Sequence, residues 1–212
     1  MNVGQWIVIG LSVVMGVWFG VGAFYNRRRG VATYRWLQEG LKGFGKISDA
    51  AWIGSSGSGA RMVVGQADAP FRRIEVVFLL ESREIMPLWI FNRFRDKQDE
   101  VILKAGLRTR PSEEIEVAQQ KDRQSRYMIT SEQKNPFEIT QNQKGLLIGV
   151  RGLKDEDILE KLNGFLEKYG MAIKRISLQR KNPHLMVQAN LPPLKSGSSV
   201  DFFQDLIEWL SR

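Results

Sequence analysis

The sequence predicts an α+β protein: one N-terminal transmembrane helix, then a soluble domain with a mainly antiparallel sheet and about three amphipathic helices. Three observations predict it. The stretch from Val3 to Tyr25 contains no charged residue. Beyond it, short apolar runs alternate with turn residues, the pattern of strands and hairpins. Three further segments carry apolar residues at helical spacing. The bulk composition agrees, because 43% hydrophobic and 25% charged residues in 212 exclude wholesale disorder and a polytopic membrane protein.

The N-terminal segment comes first. Its 23 residues, at about 1.5 Å each, reach about 34 Å, enough to cross a hydrocarbon core of about 30 Å. Trp6 lies near one end and Trp18, Phe19, Phe24 and Tyr25 toward the other, where amphipathic rings meet the headgroups. Gly16 and Gly20 form a G-x-x-x-G pair, a close-approach motif through which a homodimer or another protein partner would pack. A cleaved signal peptide competes with an anchor, since Val21-Gly22-Ala23 loosely resembles a cleavage site. The charges favour the anchor: Met1 to Gln5 has no basic side chain, whereas Arg27, Arg28 and Arg29 follow the apolar run at once. The positive-inside rule then predicts an N-terminus outside and a C-terminal domain in the cytoplasm. Trp6, Trp18, Tyr25, Arg27, Arg28 and Arg29 are the expected flank of this anchor, which occupies residues 1–29.

The domain of residues 30–212 is read element by element. Tyr34, Leu37, Leu41 and Phe44 predict a short amphipathic helix over Ala32 to Phe44, closed by Gly45. Ala51 to Ile53 and Ala60 to Val64 read as strands on either side of a Gly-Ser turn. Ile74 to Leu80 is apolar in both alternating sets and predicts a central strand buried on both faces. Val101 to Leu107, with Lys104, Arg108 and Arg110, and Ile115 to Ala118, with Glu113, Glu114 and Glu116, predict an antiparallel hairpin around Pro111. Gln119 to Lys144 is polar, broken at Tyr127 to Ile129 and Phe137 to Ile139. It reads as loops around one or two edge strands, or as a linker, and residues 120–144 mark a possible division into 30–119 and 145–212.

Gly145 to Val150 is another apolar run. Asp155 to Tyr169 predicts a helix with Ile158, Leu162, Phe165 and Leu166 inward, acids in its first turn and Gly170 behind it. Ala172 to Arg180 and His184 to Leu191 predict a hairpin turning at Lys181-Asn182-Pro183. Ser198, with Asp201 three residues on, opens a last helix striped by Val200, Phe203, Leu206, Ile207 and Leu210. Helix, glycine, strand, turn, strand occurs over Thr33–Val64 and again over Asp155–Ala189, an echo at the level of α-β-β units.

The chemistry is sparse. With no cysteine and one histidine, neither a disulfide nor a four-ligand zinc site can be assembled, and no metal or cofactor is expected. His184 has no orienting acid and no G-x-S-x-G serine to pair with, so catalysis finds no constellation. Gly54-Ser55-Ser56-Gly57-Ser58-Gly59 could offer N–H groups to a phosphate. Yet no Gly-Lys-Ser/Thr follows, and the next residues are strand-like. Gly57, Gly59 and Arg61, with Arg72 or Arg73 as alternative anion partners, are the candidate anion-binding set.

Pro87 to Lys97 mixes bulky apolar and basic residues. Pro87 suits a helix start, and Ile90, Phe91 and Phe94 share one side, while Trp89 falls among the polar residues. Trp89, Ile90, Phe91, Arg93, Phe94 and Arg95 are therefore expected either to pack over the sheet or to rest on a bilayer. Positive charge also favours a lipid partner over nucleic acid, for which no recognition motif is present. Residues 27–110 hold 16 basic and 9 acidic side chains, against 15 and 14 in residues 111–212. The expected function is a single-pass protein of the cell membrane with a cytoplasmic binding or scaffolding domain and no catalysis of its own. The alternative is a tethered enzyme or sensor that takes a phosphate-bearing ligand at Gly54–Gly59.

Overall fold

The computed structural model describes residues 2–120, 137–142, 144–152 and 156–211. A single helix, α1, runs unbroken over Val3–Leu41 and closes in a 3-10 turn at Lys42–Phe44. The expected span and the expected amphipathic helix are thus one rod. Nothing between them forces a break, since there is no proline and Arg27, Arg28 and Arg29 are good helix formers. The rod ends at Gly45, whose φ of +123° suits glycine.

Nine strands follow: β1 Ile47–Trp52, β2 Gly59–Val64, β3 Phe71–Leu79, β4 Glu100–Leu107, β5 Glu113–Gln119, β6 Glu138–Gln141, β7 Leu146–Gly152, β8 Ile173–Leu178 and β9 Leu185–Asn190. The intervening helices are α2 Met86–Phe94, α3 Glu156–Tyr169, α4 Leu191–Leu194 and α5 Ser199–Leu210. All the strands join one antiparallel sheet in the order β1-β2-β3-β4-β9-β8-β5-β7-β6. The fold is α+β, as the sequence predicts. Segments on either side of the polar stretch meet at the β4–β9 pair, where Leu103 faces Val187. The expected strand piece at Tyr127 to Ile129, the start of the third helix at Asp155 and most of the polar stretch lie outside the described residues.

Two expectations about strands are corrected. β4 and β5 form no hairpin, because β9 and β8 lie between them. The acids of β5 instead meet basic side chains of their actual neighbours, Glu114 with Arg151 and Glu116 with Arg175. β3 is central but buried on one face only. Ile74, Val76 and Phe78 point into the core, while Arg73 and Leu79 are exposed and Glu75 and Val77 half-buried.

The covered face of the sheet carries the C-terminal half of α1, α3 and α5, joined by aromatic contacts. Phe44 lies 5.5 Å from Phe71 of β3 and 5.4 Å from Phe203 of α5. Phe202 in turn lies 5.7 Å from Phe165 of α3. Ser198 caps α5 by accepting N–H groups of Val200 and Asp201, as its spacing predicts. The opposite face is open and laced with ion pairs, among them Arg61 with Asp49 and Glu75, and Lys174 with Glu100.

Candidate membrane-facing site

The site is built on α1. Its N-terminal part is apolar and unattended: Trp6, Ile7, Val8, Leu11, Val14, Val17, Phe19 and Phe24 are all exposed. Only 6% of its most apolar 18-residue window is buried in the protein. A core helix of a soluble domain would be covered; this helix is long and apolar enough to cross a membrane, and among the described residues most of that surface is left uncovered. Its length and hydropathy are those that an anchor and a signal sequence share. The Gly10, Gly16 and Gly20 face is equally free, with nothing within 4 Å of an added Cβ.

From Gly22 onward α1 changes character. Gly22, Asn26, Gly30, Thr33, Leu37, Gly40 and Leu41 form a buried stripe at intervals of three and four residues. Three of its glycines permit contacts that a side chain would block. A Cβ on Gly22 would lie 2.6 Å from the Arg83 carbonyl oxygen, one on Gly30 1.8 Å from that of Ser56, and one on Gly40 2.5 Å from the Phe203 ring.

The Gly54–Gly59 turn is therefore seated against α1. Its own geometry uses up several N–H groups: Ser55 N–H bonds Ile53 O, Gly57 N–H bonds Ser55 Oγ, and Ser58 and Gly59 N–H bond Ser55 O. Arg61 is engaged by Glu75 at 2.7 Å and Asp49 at 3.1 Å, and the charge of Glu75 is correspondingly favoured. Arg72 and Arg73 are remote from this turn, because Gly59 pairs with Leu79 at one end of β2 and Val64 with Ile74 at the other.

At the junction of span and domain lies a buried polar cluster. Asp99, fully buried, accepts the Glu81 N–H at 2.8 Å, Arg83 at 2.9 and 3.1 Å, and Arg29 Nε at 2.6 Å. Asn26 donates to Glu81 O at 2.8 Å and accepts from Arg83 at 3.0 Å. Burial opposes the charge of Arg29, but Asp99 and the Tyr25 hydroxyl more than offset it, so the pKa of Arg29 stands above its ordinary value. Burial, helped by nearby Asp99, raises the pKa of Glu81, whose Oε1 has no hydrogen-bond partner among the described residues. Burial beside Arg29 lowers that of Lys195. The predicted flank residue Arg29 is thus turned inward, whereas Arg27 and Arg28 remain exposed.

Helix α2 completes the site. Pro87 sits in its first turn, and Arg95, with Asp96 in a left-handed conformation at φ 51°, ends it. Trp89 packs on Trp18 of α1, ring centroids 5.4 Å apart, and the Trp18 Nε1–H donates to Arg83 O at 2.9 Å. Trp89 and Asn92 are the inward side of the helix, which explains why Trp89 falls outside the apolar arc on a wheel. That arc faces away from the protein: Leu88, Ile90 and Phe91 are 40–51% exposed and Phe94 86%. Arg95 lies over the Phe91 ring at 4.4 Å.

The six residues expected to form one interfacial patch thus divide. Five face outward, and Trp89 is the attachment. Sequence reasoning missed Asp99, Arg83 and Asn26. Asn26, the residue before the arginines, is the only polar side chain among them adjacent to a feature the sequence makes visible. Among the described residues, no three His, Cys, Asp or Glu side chains converge to hold a metal ion. Compared with known proteins, the chain matches no family model and no curated protein.

Proposed function

We propose that this chain is a single-pass protein of the cell membrane, with its N-terminus outside and a cytoplasmic domain that rests on the inner leaflet through α2 and serves as a binding or scaffolding module. The observation that carries the reading is the Trp18–Trp89 contact, because it holds an exposed apolar helix beside an exposed apolar rod. Counted from Val3, Trp18 lies about 22 Å along α1 and Gly22 about 28 Å, so a bilayer of about 30 Å centred on the apolar run reaches the level of α2. Phe91 and Phe94 then enter the zone between headgroups and chains, with Arg93 and Arg95 at the phosphates.

Retention of the segment as an anchor is supported by the same contacts. Cleavage after Ala23 would remove Trp18 and Gly22, which the Arg83 loop packs against. The orientation rests on Arg27, Arg28 and Arg29 and the lack of basic residues before Trp6.

The test exploits the absence of cysteine. Single cysteines are introduced at Asn2 and at Ser211 in the full chain and probed with a membrane-impermeant maleimide on intact cells and on inverted membrane vesicles. The expected result is labelling of position 2 on cells and of position 211 only in vesicles. Labelling of position 211 on intact cells, or a shortened soluble product, overturns the reading.

A further inference from the structure

We propose a second site at the opposite end of the domain, a cleft that binds a soluble, multiply charged anion bearing phosphate or carboxylate groups. It opens on the uncovered face of the sheet with a volume of about 720 Å³, within the range of small-molecule sites, and Arg72, Arg73, Lys104, Gly106, Asn182 and His184 form its lining. The cleft stands on its own geometry; only the exclusion of lipid as its ligand rests on the membrane placement proposed above.

Its local structure concentrates donors. β3 shifts register against β4 between Phe71 and Arg73, and at such a bulge consecutive residues are re-aimed, so Arg72 and Arg73 both reach the cleft. Arg73 pairs across with Gly106, where a Cβ would lie 3.3 Å from Asn182 Oδ1, so the glycine lets the Asn182 side chain approach the strand, and Lys104 is the cross-strand partner of Glu75. His184 Nδ1 accepts the Leu107 N–H at 2.9 Å. A backbone amide is always the donor, so Nδ1 carries the lone pair, and in the neutral ring the remaining proton is on Nε2.

The charges here are unlike those on the rest of this face. Arg61, Arg151, Lys174 and Arg175 each hold a carboxylate. Among the described residues Arg72, Arg73 and Lys104 have no carboxylate within 4.0 Å, and Glu75, the acid in the cleft wall, is already engaged by Arg61. Three cations line the cleft against the single carboxylate of Glu75, whose charge Arg61, Arg73 and Lys104 all favour, so the excess positive charge is relieved by a ligand with at least two negative charges, with arginine forks matched to phosphate or carboxylate oxygens. Lipid does not supply this ligand. The cleft end of β3 packs on Phe44, about 28 Å along α1 from Tyr25, far beyond a Debye length of about 10 Å.

His184 is the chain's single histidine, so its imidazole gives one unambiguous NMR reporter. The full chain, in discs of phosphatidylcholine and in discs that also hold phosphatidylserine, is titrated with inorganic pyrophosphate and separately with citrate, following the His184 ring nitrogens. A saturable shift with either anion is expected. Arg73→Gln with Lys104→Gln, both exposed positions, should weaken it by at least tenfold, and the charge-matched Arg35→Gln with Lys42→Gln, exposed positions of α1 and its closing turn on the helix-covered side of the sheet, should change it by less than about twofold. No saturable shift up to about 10 mM of both anions, equal weakening by the two pairs, or a shift that requires anionic lipid in the disc would each overturn the site.

Discussion

The indoles of Trp18 and Trp89 lie 5.4 Å apart at an angle of 50°, one on a helix long enough to cross a bilayer and the other on a nine-residue helix whose apolar side faces away from the protein. This contact ties the height of α2 to the height of the span. A nitroxide attached to an introduced Phe94→Cys should accordingly be accessible to oxygen and shielded from a water-soluble nickel reagent in full-length protein in lipid. One at Ala51, on the edge strand, should show the reverse. Equal nickel accessibility at both positions would leave α2 in water and remove the interfacial role.

Glycine substitutions separate the two halves of α1. Gly30→Ala places a methyl where the Ser56 carbonyl stands and should cost about 1–3 kcal/mol of stability as backbone and loop move apart. Gly16→Ala meets nothing within 4 Å and should cost nothing. Thermal unfolding of both variants in one detergent checks the contrast, and a matched loss would mean the rod is not seated as described.

Asp99 is the common acceptor for Arg29, Arg83 and the Glu81 N–H. Asp99→Asn leaves two guanidinium groups without their carboxylate. The expected loss is about 3 kcal/mol, the lower part of the range for breaking a buried pair, because Arg29 keeps some contact with water. Denaturant unfolding, with tryptophan fluorescence as readout, measures it.

Glu81 supplies a pH test. Burial raises its folded pKa above the unfolded value, so its contribution to stability is fully present below the unfolded pKa and is lost as pH rises through the folded one. Above that folded pKa the folded state holds a poorly solvated charge. Glu81→Gln should raise the melting temperature at pH 7, and the gain should shrink toward zero near pH 4. A gain of the same size at both values would place the cause elsewhere.

Much of this fold was legible before the structure, and the reasons are local. The uncharged run from Val3, the capping by Ser198, and the helical spacing of Ile158, Leu162, Phe165 and Leu166 are properties of neighbouring residues. The hairpin expected between β4 and β5 was not so protected. Opposite charges on two arms are satisfied by any strand of the right sign, and Glu114 and Glu116 find Arg151 and Arg175 instead of Lys104 or Arg108. The apolar run from Val3 and the amphipathic helix from Ala32 are one rod for a related reason, since Gly30 weakens a free helix but in the fold provides the space for the Ser56 carbonyl.

The sequence by itself determined that an apolar rod precedes an α+β domain, and that Pro87 opens a short helix of mixed aromatic and basic residues, because hydrophobic length, periodicity and capping are set within a few consecutive positions. Only the tertiary structure decided which side of α2 faces the protein, that Asn26, Arg29, Arg83 and Asp99 form one cluster, and that Arg73, Lys104 and His184 share a cleft. These residues are brought together by strand order and helix docking. Whether residues 111 positions apart, such as Arg73 and His184, come to line one cleft depends on which of several nearly equivalent pairings the whole core stabilises, and no local pattern encodes that choice.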